Sequence, residues 1–362
     1  DRSDQGETMI ENLYGEARGT GSEDSANPSE LSVVAQLANL ASPYAIRVAA
    51  TLRLADLIEA QPRRLDELAA AAGANPDALG RLMRFLTCRG VFAEPEPGVF
   101  SMTESARVLT SDHPMGARGW FDLDGPAAGR MDISFTGLLD SVRTGETAYS
   151  KIFGRPVWED LEDSPDLAAS FGELMASRAA SFAPDVVKCY DWNDVTHVID
   201  VGGGAGLLLR ELLHAYPAMM GTLVDLPAVA SLAETTFEAA GLSHRTSAVE
   251  GNIFDPLPGG GDLYLLASIL HDWNDQDATR ILRRCAQAAG AGGRILVVDR
   301  TSDHGNSLTF TFMNLLMLVF LGGRERTLDE FAELGRATGL TLQSASPTPS
   351  GLSLLTFVVN VF

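Results

Sequence analysis

Cysteine is scarce: Cys88, Cys189 and Cys285 are the three in 362 residues, too few and too scattered for a disulfide framework, and none has the CxxC spacing of a zinc site. That usage points to a reducing compartment, the cytoplasm. Long apolar runs are missing too. The stretch around Leu315 to Leu321 falls far short of the roughly 20 residues a bilayer needs, and no charged-then-apolar segment opens the chain. Basic residues are outnumbered, 27 Lys and Arg against 48 Asp and Glu, and a net charge of −21 repels nucleic-acid phosphates and anionic membranes. No His/Asp/Glu cluster has metal-ligand spacing, so no metal is expected. What is present is an ordinary hydrophobic fraction, 45%, in a chain long enough for two domains.

Residues 1–30 are rich in Ser, Gly, Glu and Asp and read as a mobile tail, because so few apolar positions cannot offset the entropy of ordering. From Leu31 the apolar residues Leu37, Leu40, Tyr44, Val48, Leu52 and Leu57 recur at helical spacing. Two further helix starts follow, at Arg64-Leu65-Asp66-Glu67 and at Asn75-Pro76, the latter with Asn75 as N-cap and Pro76 in the first turn. Val91-Phe92-Ala93 and Val99-Phe100-Ser101 then outline a hairpin. Helix, helix, hairpin is a winged-helix outline over residues 31–110, and it raises a DNA-binding reading. Charge decides against that reading. Between Leu40 and Gly98 seven arginines (47, 53, 63, 64, 81, 84, 89) face seven acids (56, 59, 66, 67, 77, 94, 96), which leaves no basic excess for phosphates. A helical dimerisation module is the reading that remains. A helical region over 111–190 follows, whose Phe135, Trp158, Phe171, Met175 and Phe182 read mostly as core.

Over 191–362 short apolar runs alternate with helix-length segments: Val198–Val201, Leu223–Val224, Ala248–Val249, Leu263–Leu266 and Ile295–Val298. The fold class is therefore α/β, with a parallel sheet covered on both faces and a closing antiparallel pair at Thr341–Ser344 and Leu354–Val361. Ligands of such sheets lie beyond the carboxyl ends of the strands. The first run enters Gly202-Gly203-Gly204-Ala205-Gly206 and the second ends at Asp225, an acid suited to a ribose diol. A dinucleotide fingerprint needs a glycine at the sixth position of the turn, where this chain has Leu207; the early Gly206 is the spacing of an S-adenosylmethionine site. The third run leads to Gly251-Asn252-Ile253-Phe254, where adenine would lie by Ile253 and the Asn252 amide oxygen. The fourth leads through Ser268 to His271-Asp272-Trp273, and the fifth to Asp299.

His271 stands apart from the other histidines (113, 197, 214, 244, 304) because it follows an apolar strand and precedes a helix capped by Asn274, with Asp277 three residues on. Methyl transfer from a sulfonium needs alignment and removal of a proton, and a histidine beside a carboxylate suits the second task. Asp299 and Glu325 are the candidate partners. Asp272 reads equally as a first-turn acid or as a hydrogen-bonding partner. Trp273 reads as an adenine stacker or as a plug at the sheet edge.

The motifs Ile199–Gly206, Asp225-Leu226-Pro227, Gly251–Phe254, Leu270–Trp273 and Gly322-Gly323-Arg324-Glu325-Arg326-Thr327 resemble, in this order, those of the caffeic-acid-type small-molecule O-methyltransferases. Ser134–Leu139 with Thr144-Gly145, Phe153–Leu161 and Tyr190-Asp191-Trp192 make the chain most similar to the actinomycete members that act on aromatic polyketides, the anthracycline methyltransferases. The resemblance implies a C-terminal Rossmann-like class I methyltransferase domain and an N-terminal winged-helix-like domain that forms a homodimer and closes over the partner's site. It implies His271 as catalytic base with Asp299 and Glu325 flanking it. Gly202, Gly204, Asp225, Leu226, Gly251, Asn252, Ile253, Phe254, Ser268 and Trp273 form the candidate set for S-adenosylmethionine. Phe171, Met175, Arg178, Asp272, Met313, Asn314 and Met317 are the candidate lining for a small aromatic acceptor. Asn252 replaces the family's acid after the third strand, Ala267 the plant enzymes' lysine, and Arg178 a plant histidine one turn beyond Met175. Some anthracycline relatives use the same fold for hydroxylation or decarboxylation, and a non-catalytic ligand-binding regulator is the competing class.

Overall fold

The computed structural model describes residues 28–302 and 307–360. Most of the proposed tail, 1–27, and His304 lie outside them, while the tail's last residues, 28–30, open a helix. No helix among the described residues is long and apolar enough to cross a membrane. The chain divides into two compact units after Leu123, and the helical region starting at Asp124 belongs with the C-terminal sheet.

In the first unit the apolar spacing from Leu31 is divided among three helices, α1 (Pro28–Ala38), α2 (Ala41–Thr51) and α3 (Leu54–Ile58). Leu37, Leu40 and Tyr44 are exposed, at 84%, 72% and 49%, so periodicity marked an apolar face that the chain's own core does not cover. A two-residue strand β1 (Arg63–Arg64) precedes α4 (Leu65–Ala72) and α5 (Pro76–Cys88), and the Asn75 side chain accepts from the Ala78 N–H as the cap sequence requires. Strands β2 (Phe92–Glu96) and β3 (Val99–Met102) form the hairpin, and β1 pairs with β3. Leu54, Ile58, Leu68, Met83, Leu86, Phe92 and Phe100 fill the core between helices and wing.

The second unit starts with short helices and continues into the 25-residue α6 (Pro165–Cys189), which carries Pro184. Of the five residues over 111–190 read mostly as core, Phe182 is buried, whereas Phe135, Trp158, Phe171 and Met175 are partly exposed. A seven-stranded sheet follows: β4 (His197–Val201), β5 (Met220–Asp225), β6 (Thr246–Glu250), β7 (Leu263–Ala267), β8 (Arg294–Asp299), β9 (Leu340–Pro347) and β10 (Ser353–Val359), in the order β6-β5-β4-β7-β8-β10-β9. Five strands are parallel, and β10 runs antiparallel to both β8 and β9. Helices α7 (Leu207–Ala215) and α8 (Pro227–Ala239) pack on one face with Trp192, and α9 (Asp275–Ala289) and α11 (Leu328–Ala337) on the other. In α9 the buried residues 278, 281, 282, 285 and 286 recur at threes and ones, one stripe of an otherwise charged helix. Helix α10 (Leu308–Phe320) lies between β8 and α11 in sequence. Cys88 and Cys189 are exposed and Cys285 is buried, its thiol pushed up to about 12 by burial.

Candidate active site

Strand order reverses between β4 and β7, so the ends of these two neighbours frame the crevice where ligands of open α/β sheets bind. At the end of β4 the chain turns through Gly202, Gly204 and Gly206, all at positive φ, a conformation glycine adopts without strain. A Cβ on Gly203 would lie 2.5 Å from Asp200 Oδ2 and 2.7 Å from a Leu223 methyl, so packing also demands the glycine that strains nothing. Gly206 caps α7 and sits against the Phe237 ring, leaving the third glycine to helix packing. Asp225, at the end of β5, accepts from the Gly204 N–H at 2.9 Å through one oxygen and from the Leu226 N–H at 2.8 Å through the other. Gly251 follows β6, where its N–H bonds the Asp225 carbonyl at 2.9 Å.

Several buried polar atoms around this turn make no hydrogen bond within the described residues: Asp200 Oδ2, Ser268 Oγ and both oxygens of Asp299. Ser268 also has a φ of 56°, a strained value for a residue with a side chain. Unsatisfied acceptors and a hydroxyl beside a glycine turn fit a nucleoside carrying an amino-acid group, which supplies both donors and acceptors. The Asn252 amide oxygen, assigned above to an adenine amine, accepts the Phe254 N–H at 3.0 Å and closes that loop. Trp273 stacks on Trp158 (5.6 Å between centroids, 16° between planes) and meets Phe254 edge-on at 4.8 Å, so its ring already has a partner on one face.

His271 lies in a 3₁₀ turn, Leu270–Asp272, between β7 and the Asn274-capped α9. Its side chain is 2% exposed, and both ring nitrogens face carboxylates: Nδ1 is 2.9 Å from Glu325 Oε1 and Nε2 is 3.3 Å from Asp272 Oδ1. Of the two candidate partners, Asp299 and Glu325, it is Glu325 that bonds the imidazole; Asp299 makes no hydrogen bond among the described residues, and Asp272, open between a first-turn acid and a hydrogen-bonding partner, faces Nε2. Burial opposes the charge on His271, yet the attraction of Asp272 and Asp299 and the hydrogen bond to Glu325 outweigh it and push the imidazole up to about 9. Burial pushes Asp299 up to about 7 and Asp272 up to about 6, each partly restrained by His271.

Met175 and Arg178 are half-buried on α6, and Phe171, one helical turn before Met175, meets Trp158 edge-on at 6.1 Å and Phe320 at 6.4 Å. Met317 is buried on α10, and Met313 and Asn314 are partly exposed there. The Asn314 side chain accepts the Glu325 N–H at 3.1 Å, which fixes the loop that carries the His271 partner. Of that loop the sequence assigns a role to Glu325 alone, and the structure brings Gly323 and Arg326 against the His271 turn as well. Among the described residues no group of three or more His, Cys, Asp or Glu is arranged to hold a metal ion.

Residues 135–341 match the O-methyltransferase domain family and residues 35–112 the O-methyltransferase dimerisation domain. The chain is 46% identical to a 2,7-dihydroxy-5-methyl-1-naphthoate 7-O-methyltransferase of Streptomyces carzinostaticus, over 86% of this chain and 93% of that one. It is 43% identical to aclacinomycin 10-hydroxylase RdmB of Streptomyces purpurascens, over 90% and 87%. Among solved structures it is similar to the neocarzinostatin-biosynthesis O-methyltransferase NcsB1 in complex with S-adenosylmethionine and 2-hydroxy-5-methyl naphthoic acid. That match has a TM-score of 0.83 and 44% identity, covering 90% of this chain and 98% of NcsB1.

Proposed function

The chain belongs to the O-methyltransferase family, and on that premise we propose that it methylates a hydroxyl of a small aromatic natural product with His271 as general base. The cofactor is S-adenosylmethionine, whose sulfonium supplies the methyl group. Gly202, Gly204, Asp225 and the Gly251–Phe254 loop would hold it, with Ser268 and Trp273 at the neighbouring strand end. Phe171, Met175, Arg178, Asp272, Met313, Asn314 and Met317 would line the acceptor. The matched dimerisation domain and the exposed Val33, Val34, Leu37, Leu40 and Tyr44 support a homodimer, and the cysteine usage supports a cytoplasmic setting.

One observation carries the assignment of the base: a buried imidazole at the end of β7, bonded through Nδ1 to Glu325, with Nε2 as the atom left to meet an acceptor once Asp272 yields. Glu325 fixes the tautomer and favours the imidazolium that proton removal produces. A phenol has a pKa of about 10, so transfer to an unshifted imidazole at about 6.5 is uphill by nearly 5 kcal/mol, and carboxylates that raise the imidazole narrow that gap. The cost of that narrowing is a base that is mostly protonated at neutral pH. Replacing His271 with Gln is expected to lower turnover by roughly 10²–10⁴ while S-adenosylmethionine affinity holds. Wild-type turnover should rise with pH through about 9, where the neutral imidazole appears. Wild-type turnover of the His271→Gln variant on an ordinary phenol would sink the assignment. The likeness to a hydroxylase favours one second reading, a hydroxylation at the same site. Product mass distinguishes them, since methylation adds 14 Da and hydroxylation 16.

A further inference from the structure

Arg326 has no exposed surface, and its guanidinium reaches one short stretch of chain. Nη1 donates to the Leu270 carbonyl at 2.7 Å, Nη2 to the Trp273 carbonyl at 2.7 Å, and Nε to Asp275 Oδ1 at 2.9 Å. Nη1 also reaches the Arg324 carbonyl at 3.3 Å, tying the fork to its own loop. Leu270 and Trp273 are the residues on either side of His271-Asp272. A single rigid planar group therefore spans the turn that presents the imidazole. One residue earlier in the loop, Glu325 bonds the imidazole itself.

A second contact joins the same two segments. A Cβ on Gly323 would stand 2.1 Å from the His271 carbonyl oxygen and 2.3 Å from the Asp272 carbonyl carbon, so the loop backbone lies directly on the turn backbone. Burial works against the Arg326 charge, and an apolar residue of similar volume would fill the space without that penalty. Packing alone does not account for an arginine here.

We propose that Arg326 is a positioning residue for the methyl-transfer reaction: it clamps the 270–273 turn to the 322–327 loop and thereby sets the His271–Glu325 hydrogen bond and the direction in which Nε2 faces. The consequence for turnover rests on His271 being the base, whereas the clamp itself does not. The groups that face His271 are Asp272 on its own turn, Glu325 on the loop, Asp299 at the end of β8 and Arg178 on α6. If the clamp opens, the hydrogen bond from His271 Nδ1 to the Glu325 carboxylate weakens, and the imidazole moves down from about 9 toward its ordinary 6.5. Simple loss of a nearby cation would move it up. The sign separates positioning from bulk electrostatics.

The test uses the intact protein labelled with ¹⁵N-histidine, the His271 signal being assigned by its loss in the His271→Gln variant. Arg326→Gln is expected to lower the His271 titration midpoint by at least about one unit and kcat by roughly 10–10²-fold, the scale of a small misplacement, with KM for S-adenosylmethionine changed less than about threefold. Arg326→Lys, which keeps the charge but not the fork, should recover only part of both. In a Glu325→Gln background the Arg326 substitution should no longer move the midpoint. If Arg326→Gln does not fold, Asp275→Asn serves in its place, because Asp275 is 54% exposed and holds one arm of the fork; a smaller shift in the same direction is then expected. A folded variant whose midpoint stays put or rises overturns the proposal. Failure of the base assignment would look different: His271→Gln would keep its turnover while Arg326→Gln still moved the midpoint.

Discussion

Single acidic residues carry the sharpest physical conflict in this molecule. Asp200 and Asp299 are buried side chains on β4 and β8 of one sheet, and burial pushes each up to about 7, with Asp225 adding to the shift at Asp200. The folded chain thus holds protons that the unfolded chain releases above about 4, so these groups cost stability as pH rises from about 4 to 7. Among the described residues Asp299 has no hydrogen-bond partner to offset that cost. Asp299→Asn is therefore expected to raise stability at pH 8 by at least about 1 kcal/mol, some 2–4 °C in Tm, with the gain shrinking toward pH 4. Thermal unfolding at the two pH values reads it, and an unchanged or lower Tm at pH 8 would mean that the carboxylate is stabilised by something other than His271. His271 has the opposite sign. Its raised pKa stabilises the fold fully below about 6.5, and that contribution is lost as pH climbs through about 9.

At the level of elements, the turn between β4 and α7 is where the constraint is tightest. Gly203 is not at positive φ, yet any Cβ there meets the Asp200 carboxylate and Leu223, both buried. Gly203→Ala is expected to cost about 1–3 kcal/mol of stability, the usual penalty for overpacking, and to weaken S-adenosylmethionine binding by displacing Gly202 and Gly204. Calorimetric titration with the cofactor measures the second effect; a variant as stable and as tightly bound as wild type would remove Gly203 from the argument. This turn and the β-runs around it were legible in the sequence because their signals are local: an apolar run, then residues that need positive φ. The Arg326 fork was not, because its acceptors are two carbonyls and an acid more than fifty positions away, and no spacing rule joins them. The choice among the acids at His271 has a similar origin. A strand end, a three-residue turn and a loop bring Asp299, Asp272 and Glu325 near one imidazole, and the turn sets Asp272 against Nε2 while the loop sets Glu325 against Nδ1. In the first unit, the spacing of Leu37, Leu40 and Tyr44 identified helix without revealing that the apolar side looks outward.

For the whole molecule, that outward face and the matched dimerisation domain lead to an expected mass of about twice 38.6 kDa in light scattering at micromolar concentration. A monomer under those conditions would count against the homodimer. Replacing Leu37 and Leu40 with Ser should shift the mass toward the monomer without unfolding the first unit, since neither side chain contributes to its core. The cysteines add a property of a different kind. One exposed thiol lies in each unit, Cys88 in the first and Cys189 in the second, while the buried Cys285 is held as the unreactive thiol at neutral pH. The wild-type chain is therefore ready for fluorophore pairs: two dyes attach per chain without engineered residues, and in a dimer of one labelled and one unlabelled chain energy transfer between them reports whether the two units change their separation during a catalytic cycle.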